Sequence, residues 1–424
     1  MDAFVIQGGT RLRGEVEING SKNAALPILA ACLLTREECV IRGVPDLADV
    51  RHLCSLLESL GAKVKRDKAN ALHIQVEDES HCLADYETVR RMRASICVLG
   101  PMLARRHRAE VSMPGGCAIG DRPINLHLRG LQALGAKLEL EEGNVLANGA
   151  HLEGTEIFMG GPFGSTVLGT ANVMTAATLA KGKTIIEYAA CEPEIVDLGN
   201  FLNAMGARIS GHGTPRITIQ GVESLNGADH TVIPDRIEAG TFMVAAAISN
   251  GELTLKHCRT EHLMAVIDCL NTIGVDVERV DGTVRIHSAR RLHPVDITTQ
   301  PYPGFPTDLQ AQFMTLLCLA DGNSMITEKI FPDRFMHTAE LNRMGAKLRK
   351  EGPTVLVQGV KELIGAPVMA SDLRASAALV LAGLVAQGET TVLRVYHIDR
   401  GYEHIEEKLN RVGAKIERVD RPQT

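Results

Sequence analysis

A thiol stands in the segment Pro114-Gly115-Gly116-Cys117-Ala118-Ile119-Gly120-Asp121-Arg122-Pro123, behind two glycines and ahead of a third glycine and an arginine. Glycine at that density gives the backbone a freedom that neither helix nor strand needs, so the segment is predicted to be a mobile loop. The thiolate is the reactive form of cysteine, and a nearby guanidinium favours it and recruits an anion to the same place. Two readings stand on these ten residues: a surface turn with an incidental cysteine, and a reactive thiol beside an anion site.

Further chemistry-bearing residues fall at the starts of apolar runs or after β-rich ones. Arg93, in Met92-Arg93-Ala94-Ser95, and Arg374, in Leu373-Arg374-Ala375-Ser376, occupy like positions, and Lys22-Asn23 precedes another apolar run. Arg334, in Phe331-Pro332-Asp333-Arg334-Phe335, and Arg400, in His397-Ile398-Asp399-Arg400-Gly401-Tyr402, follow β-rich runs. Taken singly, each arginine reads as a solvated charge beside an aspartate. Taken together at matched positions, they read as a polyanion site, because the guanidinium fork donates two parallel bonds to phosphate or carboxylate. Helix N-termini at those places add backbone donors for anions. Asp308 and Asp372 also precede apolar runs; each can cap a helix or take a proton from a substrate hydroxyl, and spacing does not choose.

What must position these groups is a repeat. An apolar helix end, a glycine, a small residue and a strand recur at Gly61, Gly135, Gly206, Gly274, Gly345 and Gly413, spaced by 74, 71, 68, 71 and 68 residues. The glycine suits the left-handed turn that ends a helix. In phase with it runs a second signature, a nearly all-apolar helix followed by a β-rich run: 26–34, 94–104, 171–180, 241–248, 309–319 and 375–386. A helix apolar on every face must be buried on every face. Each unit therefore supplies one interior helix, one amphipathic exterior helix and several strands, and such units must pack their interior helices together. The prediction is an α/β protein of six units, three per domain. One domain is expected over 22–233 and the other over 1–21 plus 234–424, with a closing cleft between them.

Composition narrows the class. The chain has 424 residues, 45% of them hydrophobic, and 45 Lys plus Arg against 51 Asp plus Glu, a net charge of −6. That balance and an aromatic content of 3% argue against nucleic acid as partner. The apolar runs fall short of the ~20 residues of a membrane span, and the N-terminus carries no signal-like pattern, so a cytoplasmic location is expected. None of the ten cysteines forms a metal-like spacing, so no metal is expected. Cys32, Cys97, Cys269 and Cys318 read as core.

The stretches Gly20-Ser21-Lys22-Asn23-Ala24-Ala25-Leu26-Pro27, 114–123, Glu192-Pro193-Glu194-Ile195, Pro234-Asp235-Arg236-Ile237-Glu238-Ala239-Gly240-Thr241 and His397-Ile398-Asp399-Arg400-Gly401-Tyr402-Glu403 resemble one family nearly end to end. It is the UDP-N-acetylglucosamine 1-carboxyvinyltransferase family of enolpyruvyl transferases. The resemblance implies a two-domain inside-out α/β barrel of six repeats. It implies transfer of enolpyruvate from phosphoenolpyruvate to the 3′-hydroxyl of UDP-N-acetylglucosamine with release of phosphate, the committing step of peptidoglycan synthesis. The implied route is addition then elimination, with no cofactor. By motif, Cys117 is the general acid at the vinyl carbon and the site of alkylation by fosfomycin, and Asp308 takes the hydroxyl proton. Lys22, Arg122 and Arg400 surround phosphoenolpyruvate; Asn23, Arg93, Ile330, Arg334, Asp372 and Arg374 are further ligand-cleft residues. Arg122, Pro123, Ile124, Asn125 and Leu126, with Ser165, Thr166 and Gly169, form the nucleotide side.

Two departures stand out. The family's usual acid after Arg-Pro-x is here Asn125, which keeps an acceptor and gains a donor. A lysine common upstream of Thr166 is missing from Gly160-Gly161-Pro162-Phe163-Gly164-Ser165. These changes motivate one alternative, a catalytically silent UDP-sugar-binding regulator. The other is the shikimate-pathway enolpyruvyl transferase, which lacks a comparable cysteine loop.

Overall fold

The computed structural model describes residues 2–114, 123–280, 282–288 and 291–420, and the roles expected of Cys117 and Arg122 fall outside them. By contact the chain divides into two units, each with its own apolar core. One holds the described residues from Gly20 to Ile233; the other joins those up to Asn19 to those from Pro234 onward.

The recurring glycine does what its spacing requires. All six signature glycines have positive φ, from +84° at Gly61 to +106° at Gly413, a region closed to most side chains. Each one ends an amphipathic helix and releases the chain into a hairpin. Helix Ala48–Ser59, for example, buries Val50, Leu53, Leu56 and Leu57 along one stripe, and strand Ala62–Arg66 follows.

The apolar runs form interior helices. They are Lys22–Ala31, Leu99–Arg106 and Val167–Ala177 in one unit, and Arg236–Ile248, Gln310–Leu317 and Leu373–Val385 in the other. Val167–Ala177 and Arg236–Ile248 are buried along almost their whole length, because interior helices and sheets surround them and, for Val167–Ala177, the outer helices Asn125–Ala133 and Pro193–Ala204 as well. The run at 94–104 differs from a single helix. It begins as a 3-10 helix, Arg93–Val98, and becomes α-helical only at Leu99–Arg106. Pro101 has no N–H to give the carbonyl of Cys97, so an α-helix cannot run through that point unbroken.

Each repeat contributes one four-stranded sheet of constant plan. Glu156–Phe158 runs parallel beside Lys183–Glu187, which pairs antiparallel with Arg216–Gln220 and, beyond it, Arg208–Ser210. In the second unit the N-terminal strand Asp2–Gln7 lies between Glu389–Leu393 and Ile416–Asp420, completing the sheet of the last repeat. The next strand, Arg13–Glu17, runs parallel to Glu252–Lys256 and supplies the edge of the repeat that starts after Pro234. The barrel character is of the inside-out kind: helices fill the interior of each unit, and the described sheets stay separate without closing on one another. Among the described residues no helix is long and apolar enough to cross a membrane.

Candidate active site

In the unit from Pro234 onward, the starts of the three interior helices each carry an aspartate. Asp235 caps Arg236–Ile248 and accepts from the backbone N–H of Ile237 at 2.8 Å and Glu238 at 3.0 Å. Asp372 caps Leu373–Val385 and accepts from the backbone N–H of Arg374 at 2.9 Å. Asp308 is different. It sits inside the 3-10 turn Thr307–Leu309, ahead of Gln310–Leu317, and Pro306 holds the cap position. Asp372 therefore caps its helix, whereas Asp308 does not hold the cap position of its own turn.

Two buried guanidiniums bind the three carboxylates together. Arg334 grips both oxygens of Asp372, Nε to Oδ2 at 2.7 Å and Nη2 to Oδ1 at 3.3 Å, and gives Nη1 to Asp308 Oδ1 at 2.7 Å and Thr307 Oγ1 at 3.1 Å. Arg374 donates Nη2 to Asp235 Oδ2 at 3.2 Å and Nη1 to the carbonyl of Gly401 at 3.0 Å, and lies 4.9 Å over the ring of Tyr402. Its Nε stands 3.9 Å from Asp308 Oδ2. Burial disfavours both cations, but the surrounding carboxylates outweigh it and raise both pKa values. Burial likewise opposes ionisation of Asp372, yet Arg334 wins and its pKa lies below the ordinary value. The side chain of Asp308 is 26% exposed, against 6% for Asp372 and 5% for Asp235. Of the three carboxylates, Asp308 is thus the one that solutes can reach.

Further hydrogen bonds hold this cluster in place. Gln312 donates to the carbonyl of Asp308 at 3.0 Å and to the hydroxyl of Tyr402 at 3.2 Å. Thr307 donates to Glu328 at 2.9 Å, and Glu328 accepts the N–H of half-buried Ile330 at 2.8 Å. Arg400, half-buried, follows the 3-10 turn Val395–His397. Burial, then Arg400 and Arg394, lower the pKa of His397.

His337 packs near the ion pairs with neither ring nitrogen hydrogen-bonded among the described residues. Burial, helped by Arg334 and opposed by Asp372, pushes its pKa down to about 4 from 6.5. The unfolded chain then takes up this proton before the folded one as pH falls. The contribution of this group to stability is expected to drop by about 2–3 kcal/mol between pH 6.5 and 4 and to level off below. Urea titrations across that range should show the drop, with a smaller one in His337→Phe.

In the unit from Gly20 to Ile233, Lys22 is the first residue of its helix, behind the cap Ser21, whose hydroxyl accepts from the N–H of Ala24 at 3.3 Å. Its buried Nζ lies 3.2 Å from buried Asp49 Oδ2. Asn23 is half-buried beside it, and half-buried Arg93 opens its 3-10 helix. Pro123 and Asn125 are exposed, Ile124 is buried, and half-buried Leu126 follows Asn125 in helix Asn125–Ala133. Ser165 ends a two-stranded hairpin, and Thr166 caps Val167–Ala177 by accepting from the N–H of Gly169 at 3.2 Å. A buried amide links these helices: Asn172 accepts from Gly100 N–H at 2.9 Å and donates to the Ile96 carbonyl at 3.0 Å and to His127 Nδ1 at 2.9 Å. Those predicted residues that are described thus fall into two sets, one per unit.

Several members of these sets were not singled out from sequence. Asp235 was readable, since it precedes an interior helix in phase with Asp308 and Asp372. Asp49, Thr307, Gln312, Glu328 and Asn172 carry no such mark; each has a partner far off in sequence, such as Tyr402 for Gln312 and Ile96 for Asn172. The core cysteines behave as expected: Cys97, Cys269 and Cys318 are buried, and burial pushes each thiol up to about 12.

A family model described as EPSP synthase (3-phosphoshikimate 1-carboxyvinyltransferase) matches residues 6–409. A UDP-N-acetylglucosamine 1-carboxyvinyltransferase of Methylacidiphilum infernorum is 54% identical over 420 residues, 99% of each chain. That of Akkermansia muciniphila is 53% identical over 423 residues, again 99% of each. Among solved structures, the enolpyruvyl transferase NikO from Streptomyces tendae superposes with a TM-score of 0.90 at 25% identity, covering 99% of each chain. An EPSP synthase from Acinetobacter baumannii, at 18% identity and TM-score 0.76, covers 99% of this chain and 100% of its own and shares the fold.

Proposed function

The chain belongs to the UDP-N-acetylglucosamine 1-carboxyvinyltransferase family of enolpyruvyl transferases, and from that membership we propose how its residues divide the work. The protein transfers enolpyruvate from phosphoenolpyruvate to the 3′-hydroxyl of UDP-N-acetylglucosamine and releases phosphate. The shikimate-pathway reaction and a silent regulatory role are not favoured, since full-length relatives at 52–54% identity bear the UDP-sugar name.

The observation that carries the chemistry is Asp308, a carboxylate 26% exposed and anchored through Oδ1 to a buried arginine. Asp308 takes the proton of the sugar hydroxyl as that oxygen bonds to C2 of phosphoenolpyruvate. Cys117 delivers a proton to C3, so the double bond becomes a methyl group and a tetrahedral adduct forms. Loss of a methyl proton and departure of phosphate then restore the double bond on the sugar. Lys22, Arg122 and Arg400 balance the phosphate and carboxylate of phosphoenolpyruvate. Arg334, Asp372 and Arg374 hold Asp308 in place, with Ile330 beside them. Asn23, Arg93, Pro123, Ile124, Asn125, Leu126, Ser165, Thr166 and Gly169 serve the UDP-sugar and the support of both ligands. The working location in this reading is the cytoplasm.

Phosphate release that requires both substrates together tests the reaction; release from phosphoenolpyruvate without the sugar, or none with both, sinks it. A separate test bears on the thiol. Fosfomycin should add its mass to a peptide containing Cys117, whereas Cys117→Asp should stay unmodified and keep measurable turnover, because a carboxyl still donates a proton. An adduct on any other cysteine removes the assignment.

A further inference from the structure

The nucleotide side lacks the expected lysine, and what stands near that gap is an arginine from a neighbouring helix. From Phe158 through Gly169 the chain has no lysine or arginine. Within that span Gly160–Gly161 and Gly164–Ser165 form a short hairpin, Gly160 paired with Ser165 and Gly161 with Gly164. Its glycines cost more conformational entropy to order than other residues would, so something outside the hairpin must hold it.

Arg129 supplies that hold. It lies in helix Asn125–Ala133, and its Nη2 donates to the carbonyl of Phe158 at 2.6 Å and to that of Gly160 at 2.9 Å. Hydrogen bonds from a charged donor are stronger than neutral ones. Leu126, three residues earlier and so on the same helix face, meets the next residue: a Cβ on Gly161 would stand 2.9 Å from its Cδ1. The aromatic rings of Phe158 and Tyr188, 5.5 Å apart, close over the other glycine, where a Cβ on Gly160 would stand 2.6 Å from Phe158 Cζ and 3.0 Å from Tyr188 Cδ1. At both places a larger residue would have to push a neighbouring side chain aside.

We infer that Arg129 is a positioning residue for the UDP-sugar: it ties the Gly160–Ser165 hairpin to the helix that begins at Asn125, so the two nucleotide-binding segments keep one geometry. The inference rests on the proposed function. Arg129 is itself exposed, so its loss removes the tie without opening a core.

Calorimetry of the full-length protein with UDP-N-acetylglucosamine, beside steady-state kinetics and thermal melts, tests it. Arg129→Ala should weaken UDP-N-acetylglucosamine binding and raise its KM about tenfold, the equivalent of one lost interaction of ordinary strength. kcat, KM for phosphoenolpyruvate and the melting temperature should hold, and Arg129→Lys should recover part of the affinity. Equal dissociation constants for wild type and Arg129→Ala overturn the inference alone, as does a fall in kcat with KM for the sugar unchanged. Absence of UDP-N-acetylglucosamine binding by the wild type overturns the functional reading and takes this inference with it.

Discussion

Asp308→Ala is expected to lower kcat by ~10²–10⁴-fold, the ordinary cost of losing a group that moves a proton in the transition state, while the protein stays folded. The ion cluster explains why the two effects separate. With Asp308 gone, Arg334 keeps both oxygens of Asp372 and Arg374 keeps Asp235, so each buried guanidinium retains a carboxylate and no charge is stranded. The substituted side chain is also the most exposed of the three aspartates. Asp308→Asn sharpens the test. Its amide oxygen can still accept from Arg334 at the position now held by Oδ1, yet it cannot take the sugar proton. Phosphate release measured for both variants, with melting curves, decides the matter. Equal inactivity in Ala and Asn marks a base; near-normal turnover in Asn would leave Asp308 a positioning residue and remove it from the chemistry.

The fold was legible wherever a local rule forced the sequence. A positive φ needs glycine, so six glycines in phase disclosed six helix ends, and helices apolar all round disclosed six interiors. Pro101 was equally visible, but its consequence, a 3-10 segment carrying Arg93, follows from one missing hydrogen bond that a periodicity count does not weigh. The site was legible in part. Asp308, Asp372, Arg334 and Arg374 stood out by type and repeat position. What sequence could not supply was their pairing. Expected chiefly as ligands for an anion, Arg334 and Arg374 are spent largely on Asp372, Asp235 and Asp308, at separations of 38, 139 and 26 or more residues. Only the packing of three interior helix ends beside one another brings those charges together. Asn172 is the same lesson in the other unit: a residue inside an apolar run, indistinguishable there from filler, makes three hydrogen bonds to three other helical segments.

Arg334→Met should be the most destabilising single change at the site, by about 3–5 kcal/mol, because it strands a buried carboxylate. Asp372 has 6% of its side chain exposed and would keep one capping bond, from the N–H of Arg374. Its depressed pKa reflects Arg334 overcoming burial; without Arg334, burial acts with less opposition and the carboxyl becomes harder to ionise. The sign of the pH dependence follows. In the wild type the stability held by Asp372 is present above the unfolded carboxyl pKa and is lost only as pH falls through the lower folded value. In Arg334→Met the folded pKa is raised, so the deficit is greatest near neutrality and shrinks as acid protonates Asp372. His337 works in the same direction. Arg334 helps keep it neutral while Asp372 favours its charge, so removing the arginine eases protonation, and a charged imidazole then offsets the stranded carboxylate. Urea unfolding at pH 7.5 and 5.5 should therefore show a smaller gap between variant and wild type at the lower pH. Arg334→Met combined with Asp372→Leu should recover much of the stability, since removing both partners abolishes the desolvation cost along with the attraction. Activity should not return with it, because Asp308 would still lack the bond that fixes Oδ1. A double variant as unstable as Arg334→Met, or a gap that widens in acid, would show that Arg334 stabilises this unit by packing and not by holding charge.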